Sequence, residues 1–399
     1  MKILHIGKYY PPNFGGIESV TKDIAENFAE GGDKVTVLCF SKDNLVEQIK
    51  NVTVVRCKAS IISSQPISIS YIHNFFKLKN KSDIIHIHLP NYLALFCSLF
   101  ISKKKKVILH WHSDVLGFYF WGSILRILEI IVIKNANTII FTSQNYINGS
   151  YIRNLIKNKF NILPISVGLK SKKTNIKKNN PNKLKILFVG RLVPYKGVDI
   201  LIKSLRLITD IDIELNIIGS GSIKYTNFLT NLASASNHSI NFSGTVADLT
   251  LEGHYLSSDV LVLPSTYRSE AFGVVVLEAF SYGLPCISSN LKNSGLSWIN
   301  KNNKTGFKFE TNDQYDLAEK INKFIYLDEK MKIQMQNYCL KEAKEKYSHY
   351  KMKTSLGEIY NNLFDDNDPI LANENKKAKS KVNFNQQKER IAIAKEYTV

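Results

Sequence analysis

Two carboxylates separated by seven residues, Glu270 and Glu278, bound the stretch EAFGVVVLE. Phe272-Gly273 marks a turn into a helix that starts near Val274, so Glu270 belongs to a loop and Glu278 lies about two helical turns later. From there the two acids can address different parts of one ligand. The segment Gly190-Arg191-Leu192-Val193-Pro194-Tyr195-Lys196-Gly197 places two cations between glycines. Arg191 offers a planar fork and Lys196 a point charge, so the pair can clamp a diphosphate from two sides. Such a clamp stabilises a leaving group electrostatically; a lone surface lysine would merely be solvated. A third signal is Gly15-Gly16 in PPNFGGIES. Glycine lets a backbone approach a phosphate, and a helix just after it presents free N–H groups. The spacing is not G-x-G-x-x-G, so a dinucleotide fingerprint is absent, and a plain tight turn would leave the same trace.

Metal chemistry is not expected. The D-x-D-like strings are Asp210-Ile211-Asp212, just before a strand, and Asp366-Asn367-Asp368, in a polar tail. Arg191 and Lys196 would do the charge neutralisation that a metal does elsewhere. Five cysteines, an odd number without C-x-x-C spacing, argue against a disulfide framework and a zinc site and fit a reducing compartment. Of nine histidines, His86, His88 and His110 alternate along strand-like runs and read as packed or hydrogen-bonded.

The elements that must hold these residues are short Val/Ile-rich runs alternating with amphipathic stretches. Residues 2–6, 34–39, 52–56, 84–88, 106–110 and 138–141 read as strands, with helices at 17–30 and 91–102 between them. That alternation predicts parallel βαβ units covered on both faces. After a polar linker, SKKTNIKKNNPNK (171–183), the pattern restarts with LKILFVGRL, an echo of MKILHIG. Strands follow at 213–218, 239–243, 260–263 and 285–288, and helices dominate 313–363. The expected fold is α/β, two Rossmann-like domains with parallel sheets facing a cleft. The N-terminal domain covers 1–170 and the C-terminal domain 184–343, and 364–399 forms a basic polar tail. With 399 residues the chain is long enough for two such cores.

The formal charge of +19 points to an anionic partner, although a lysine- and asparagine-rich composition also raises it. No zinc-finger or RRM pattern is present, so membrane and phosphate rank above nucleic acid. MKILHIGKYYPP has no long apolar stretch behind its lysine and reads as a first strand, not a signal peptide. Residues 115–133 (VLGFYFWGSILRILEIIVI) are strongly apolar, but Arg126 and Glu129 interrupt them, which speaks against a spanning helix. Phe118, Tyr119, Phe120 and Trp121, with the lysines 103–106 nearby, favour an interfacial position. A buried interdomain helix is the alternative. The tail from 376 to 399 carries seven Lys/Arg against two Glu.

GGIE (15–18), HWHSD (110–114), GRLVPYKG (190–197) and the E-x7-E unit (270–278), in this order, resemble the retaining GT-B enzymes of glycosyltransferase family 4 over roughly residues 1–365. HIGKYYPPNFGGIES and HLPNYLA are most similar to mannosyl- and rhamnosyl-type transferases of bacterial surface polysaccharides. The resemblance implies roles. Arg191 and Lys196 match the diphosphate-binding pair, and Gly16 the glycine near the β-phosphate. Glu278 matches the ribose-binding carboxylate and Glu270 the one facing the donor sugar. Phe272, Gly273 and Val274 match the loop whose amides reach sugar and phosphate. Thr245 and Val246 match the turn at the base. His112 matches the N-domain histidine beside the donor sugar, with His110 the lesser candidate. The segment Pro164–Lys170 departs from the family's P-x-G-V-D pattern, which bears on the hinge and not on the fold. A C-terminal helix around 344–363 is implied to cross back onto the N-domain.

The reaction implied by the resemblance is transfer of a hexose, mannose-type favoured, from a nucleoside diphosphate sugar to a lipid-linked or growing surface-polysaccharide acceptor. GDP-mannose leads and UDP-sugars stay open. No cofactor is implied, and the protein would be cytoplasmic, peripheral on the inner face of an anionic membrane. Retention through a Glu270 nucleophile competes with front-face attack assisted by the diphosphate, which is preferred. A sugar-nucleotide epimerase or phosphorylase of the same architecture, and a non-catalytic nucleotide-sugar-binding subunit, are the alternatives.

Overall fold

A computed structural model of the chain describes residues 1–13, 15–62, 65–114, 122–156, 159–170 and 183–364. Phe118, Tyr119, Phe120 and Trp121 lie outside the described residues, as do 171–182 of the linker and the tail from 365. The chain divides into two compact units, Met1–Lys353 and Thr354–Val399. Both sheets belong to the first.

The first half contributes β1 (Lys2–Ile6), β2 (Lys34–Ser41), β3 (Leu45–Ile49), β4 (Val52–Lys58), β5 (Ser60–Ile62), β6 (Gln65–Ile67), β7 (Ile84–Leu89), β8 (Lys106–Trp111), β9 (Thr138–Phe141) and β10 (Phe160–Ile162). Apart from the β5–β6 hairpin, they form one sheet in the order β10-β9-β8-β7-β1-β2-β4-β3. The second half forms a six-stranded sheet from β11 (Lys183–Val189), β12 (Asp212–Ile218), β13 (Ser239–Gly244), β14 (Val260–Leu263), β15 (Cys286–Ser289) and β16 (Gly306–Phe309). Its order is β13-β12-β11-β14-β15-β16, parallel throughout. Central strands such as IIHIHL (β7) and VLVL (β14) are buried at every residue, as expected of strands covered on both faces.

The edge strand β3 was not expected from the sequence. It runs antiparallel to β4, with Ile49 opposite Val52. The two residues between them, Lys50 and Asn51, both take positive φ, 45° and 65°, the backbone of a tight hairpin turn. Short β10 and β16 also escaped, and the helix expected over 91–102 ends at Ser98.

In each half the first strand is central and the chain then winds outward to both sides. The order reverses between β1 and β7 in one sheet and between β11 and β14 in the other. The loops leaving those strands therefore bound the crevices in which open α/β sheets bind ligands. Near its end the first unit returns to the N-terminal half. Val167 N–H donates to the Tyr347 carbonyl at 2.7 Å, and Ser166 Oγ lies 2.9 Å from His349 Nδ1.

Candidate active site

The crevice of the second sheet gathers most of the predicted residues. After β11 the chain turns through Gly190, with φ 157°, and enters a 3₁₀ turn at Pro194–Lys196. Gly197 comes next at φ 68°, where a Cβ would meet the Pro264 carbonyl oxygen at 2.1 Å. Only glycine allows this turn to touch the loop after β14, and Thr266 N–H donates across to the Tyr195 carbonyl at 2.7 Å. The two loops thus carry the cation segment and Glu270 side by side.

Lys196 and Glu270 are both largely buried and form an ion pair, with Ser265 Oγ donating to the same Glu270 oxygen at 3.0 Å. The family resemblance assigns them to different parts of a ligand; here each neutralises the other. Arg191 is exposed and donates to Tyr195 Oη at 3.0 Å. Gly273, at φ 86°, starts the helix Val274–Ser281, whose first N–H groups have no intrahelical acceptor. Glu278 sits on that helix and accepts from Tyr255 Oη at 2.7 Å. Burial pushes its carboxyl above the usual range against that hydrogen bond. Thr245 and Val246 come after β13, two strands out from β11, and Thr245 is exposed with its hydroxyl 3.3 Å from Ser220 Oγ.

The N-terminal half approaches through Gly16, where a Cβ would stand 3.9 Å from Val274 Cγ2. Gly16 opens the helix Gly16–Glu30, and the Glu18 carboxylate folds back over that helix start, occupying the space a Gly15 side chain would need. Burial raises the Glu18 pKa; its own backbone N–H, Lys8 and Arg191 pull the other way. A carboxylate at this helix N-terminus sits where the bare amides favour an anion. Asp23, on the same helix, is held up to about 7, by burial foremost and with Glu26 and Glu278 adding to it.

A second bridge joins the halves beside His112. Arg268 reaches Asp114 at 3.0 Å, donates to the Tyr146 and Gly149 carbonyls and lies over the Tyr146 ring at 4.9 Å. Asp114 is sealed and also accepts from Trp111 Nε1 at 2.9 Å and Ser150 Oγ at 2.7 Å. Arg268, Asp114, Glu18 and Tyr255 were given no role from the sequence. Arg268, two residues before Glu270, was the one readable by spacing; its partner 154 positions away was not.

His112 comes just after β8 and is 5% exposed. Behind it His5, His86, His88 and His110 are sealed on neighbouring strands of one sheet. Burial lowers the imidazole pKa of His5 and His112 to about 3 and those of the other three well below the normal value. All five are therefore neutral near pH 7. His5, His86 and His88, and likewise His88, His110 and His112, bring ligand nitrogens within 4.8 Å of one another, a spacing that could hold a metal ion.

The family model of group 1 glycosyl transferases matches residues 170–345, and that of glycosyltransferase family 4 matches residues 14–148. The chain is 26% identical to O-antigen chain mannosyltransferase C of Escherichia coli, over 81% of this chain and 88% of that protein. It is 27% identical to the D-rhamnosyltransferase WbpZ of Pseudomonas aeruginosa, over 77% and 82%. Among solved structures, sucrose-phosphate synthase from Thermosynechococcus elongatus superposes with a TM-score of 0.74 at 18% identity, covering 92% of this chain and 99% of that one. Anabaena HepE in complex with UDP gives 0.71 at 18% identity, covering 90% and 99%. Two parallel-sheet domains with the GT-B architecture, the two family models in tandem and the run of similar transferases agree: the chain is a glycosyltransferase of family 4, group 1.

Proposed function

We propose that the enzyme transfers a mannose-type hexose from a nucleoside diphosphate sugar to a lipid-linked or growing surface polysaccharide, with retention at the anomeric carbon. The observation that carries this reading is the meeting, at one switch point, of the Arg191–Lys196 loop, Glu270, the Gly273-headed helix with Glu278, and Gly16 from the other half. In this reading the diphosphate enters between Arg191 and Lys196 and against the amides of two helix starts, displacing the Glu18 carboxylate. Lys196 then exchanges Glu270 for phosphate, and the freed Glu270 orients hydroxyls of the sugar. Glu278 takes the ribose, and Thr245 and Val246 flank the base. Front-face attack is favoured, with a diphosphate oxygen taking the acceptor's proton as the C–O bond to the leaving group breaks. The clamp of side-chain cations supplies the charge stabilisation, so no metal is invoked.

GDP-mannose is the leading donor because the mannosyl and rhamnosyl enzymes named above are similar along most of the chain. UDP-sugars remain in play, given HepE's complex with UDP. An anionic membrane is the proposed seat of the acceptor. Supporting this, Phe96 and Phe100 are exposed, and Phe76 packs against Phe100 with Lys79 over its ring at 4.6 Å. No described helix is long and apolar enough to cross a membrane. In the helix Gly122–Asn135, Ile127 and Ile131 are exposed while Glu129 is buried against Tyr151.

A transfer and donor-hydrolysis screen over UDP-, GDP- and dTDP-sugars tests the reading, with and without EDTA. Turnover of one donor, unchanged by EDTA and abolished in Arg191→Ala, supports it. No turnover of any donor, or activity restored only by Mn²⁺, counts against it. Flotation with anionic vesicles tests the membrane contact separately, and an unbound protein there removes it.

A further inference from the structure

The five histidines are joined in an ordered way that packing alone does not require. His5 Nδ1 lies 3.1 Å from His88 Nε2, and His88 Nδ1 lies 3.0 Å from His112 Nε2. Ring centroids in both pairs are 5.3 Å apart, which leaves the bonded nitrogens between the rings, edge to edge. Beside this chain, His86 Nε2 meets His110 Nδ1 at 3.2 Å. The two rows are stacked, His86 on His88 at 4.7 Å and His110 on His112 at 4.1 Å.

A neutral imidazole has one N–H and one lone pair, so the direction of one bond fixes the direction of the chain. Every chain of this kind ends with one unused N–H. If the chain runs from His112 to His5, that N–H is His5 Nε2, which is sealed and has no partner. Run from His5 to His112, it is His112 Nδ1, which is not among the sealed unpartnered atoms. A buried N–H without an acceptor bears its full desolvation cost, and orphaned donors are rarer than orphaned acceptors. The same reasoning applies to His110, whose Nε2 is also sealed and unpartnered, and makes its Nδ1 the donor to His86.

We propose that His5 and His88 are positioning residues that, through a one-way chain of imidazole hydrogen bonds, hold His112 in its Nδ1–H form and present that N–H to an oxygen of the bound sugar. The identity of the ligand oxygen rests on the glycosyltransferase reading; the direction of the chain does not. His112 is then a fixed donor and takes no proton from the acceptor. A metal ion is a poorer occupant, because the nitrogens pair linearly at 3.0 to 3.2 Å and so aim at each other's protons. Metal–imidazole bonds of about 2.0–2.1 Å would need their lone pairs to converge on one point.

The test is long-range ¹H–¹⁵N NMR of the full chain labelled with ¹⁵N-histidine at pH 7.5, with His112→Phe used to assign the His112 signals. The expected result is Nδ1–H, with Nε2 unprotonated, for His5, His88 and His112. In His88→Phe the His112 Nε2 loses its hydrogen-bond donor, so the ring is no longer held in one form and its ¹⁵N signals should report a mixture of tautomers, with kcat/KM on the active donor falling about tenfold for one lost orienting hydrogen bond. Wild-type His112 in the Nε2–H form overturns the proposal. So does a stoichiometric transition metal in the purified protein, or a zinc addition that shifts these ¹⁵N signals. Inactivity on every donor with the Nδ1–H pattern intact defeats the functional reading and leaves the chain standing.

Discussion

Burying five neutral imidazoles makes the N-terminal half sensitive to acid, and His5→Phe isolates one share of that sensitivity. The folded-state pKa of His5 is about 3 against an ordinary 6.5. Between those values the unfolded chain binds a proton that the folded chain refuses, so stability falls as pH falls from 6.5 toward 3. At pH 5 the loss from His5 amounts to about 2 kcal/mol relative to pH 7.5, taking 1.36 kcal/mol per pKa unit. Phenylalanine keeps a flat ring at the site and has nothing to titrate. Other groups titrate in both proteins and largely cancel in the difference. Urea midpoints of wild type and His5→Phe, measured at pH 7.5 and 5.0, give the readout. With a slope of about 2–3 kcal/mol per molar urea, the wild-type midpoint should drop by on the order of 1 M more than the variant's. Parallel pH dependence in the two proteins would refute the reasoning, whatever the variant's absolute stability.

Removing one partner of the buried Lys196–Glu270 pair leaves a charge behind, so Lys196→Ala and Glu270→Ala should each cost about 3 kcal/mol of stability, with the double variant well short of the sum; thermal melts of the four proteins check this. Arg268→Ala should destabilise by a similar ~3 kcal/mol, since Asp114 stays sealed without its cation. Its companion Asp114→Asn should restore part of that loss in urea denaturation. Asp23 titrates in the opposite sense to His5. Its folded pKa of about 7 lies above the ordinary 3.8, so the stability it lends is full below 3.8 and lost as pH rises through 7. Asp23→Asn should therefore gain on wild type between pH 5 and pH 8, seen as converging or crossing melting curves. Gly197→Ala forces a Cβ to within 2.1 Å of the Pro264 oxygen at a positive φ and should lower both stability and donor affinity.

Much of this molecule was legible because βαβ folds write their strands as short buried apolar runs. MKILHIG and LKILFVG mark both central strands, and the glycine turns after them mark both crevices. The loops carrying Arg191, Lys196, Glu270 and Gly273 could be placed from Gly, Pro and strand ends alone. What could not be read was pairing across space. Nothing local says that Lys196 meets Glu270, or that Arg268 reaches Asp114 in the other half. His86, His88 and His110 were visible as alternating residues, yet their register against His5 and His112 depends on which strands lie side by side. β3 was missed because LVEQI is a half-exposed edge whose register is set by a turn, Lys50-Asn51, without the glycine that usually signals it.

The central claim is that Lys196 leaves Glu270 for the diphosphate of a donor held at the β11–β14 crevice. A crystal structure with the active nucleotide sugar, or its nucleoside diphosphate, tests this directly. The account predicts phosphate oxygens within hydrogen-bond reach of Arg191, Lys196 and the Gly16 amide, Glu278 on the ribose, and Lys196 drawn away from Glu270. A nucleotide seated elsewhere, or one bound with the Lys196–Glu270 pair intact and neither cation on phosphate, would contradict it.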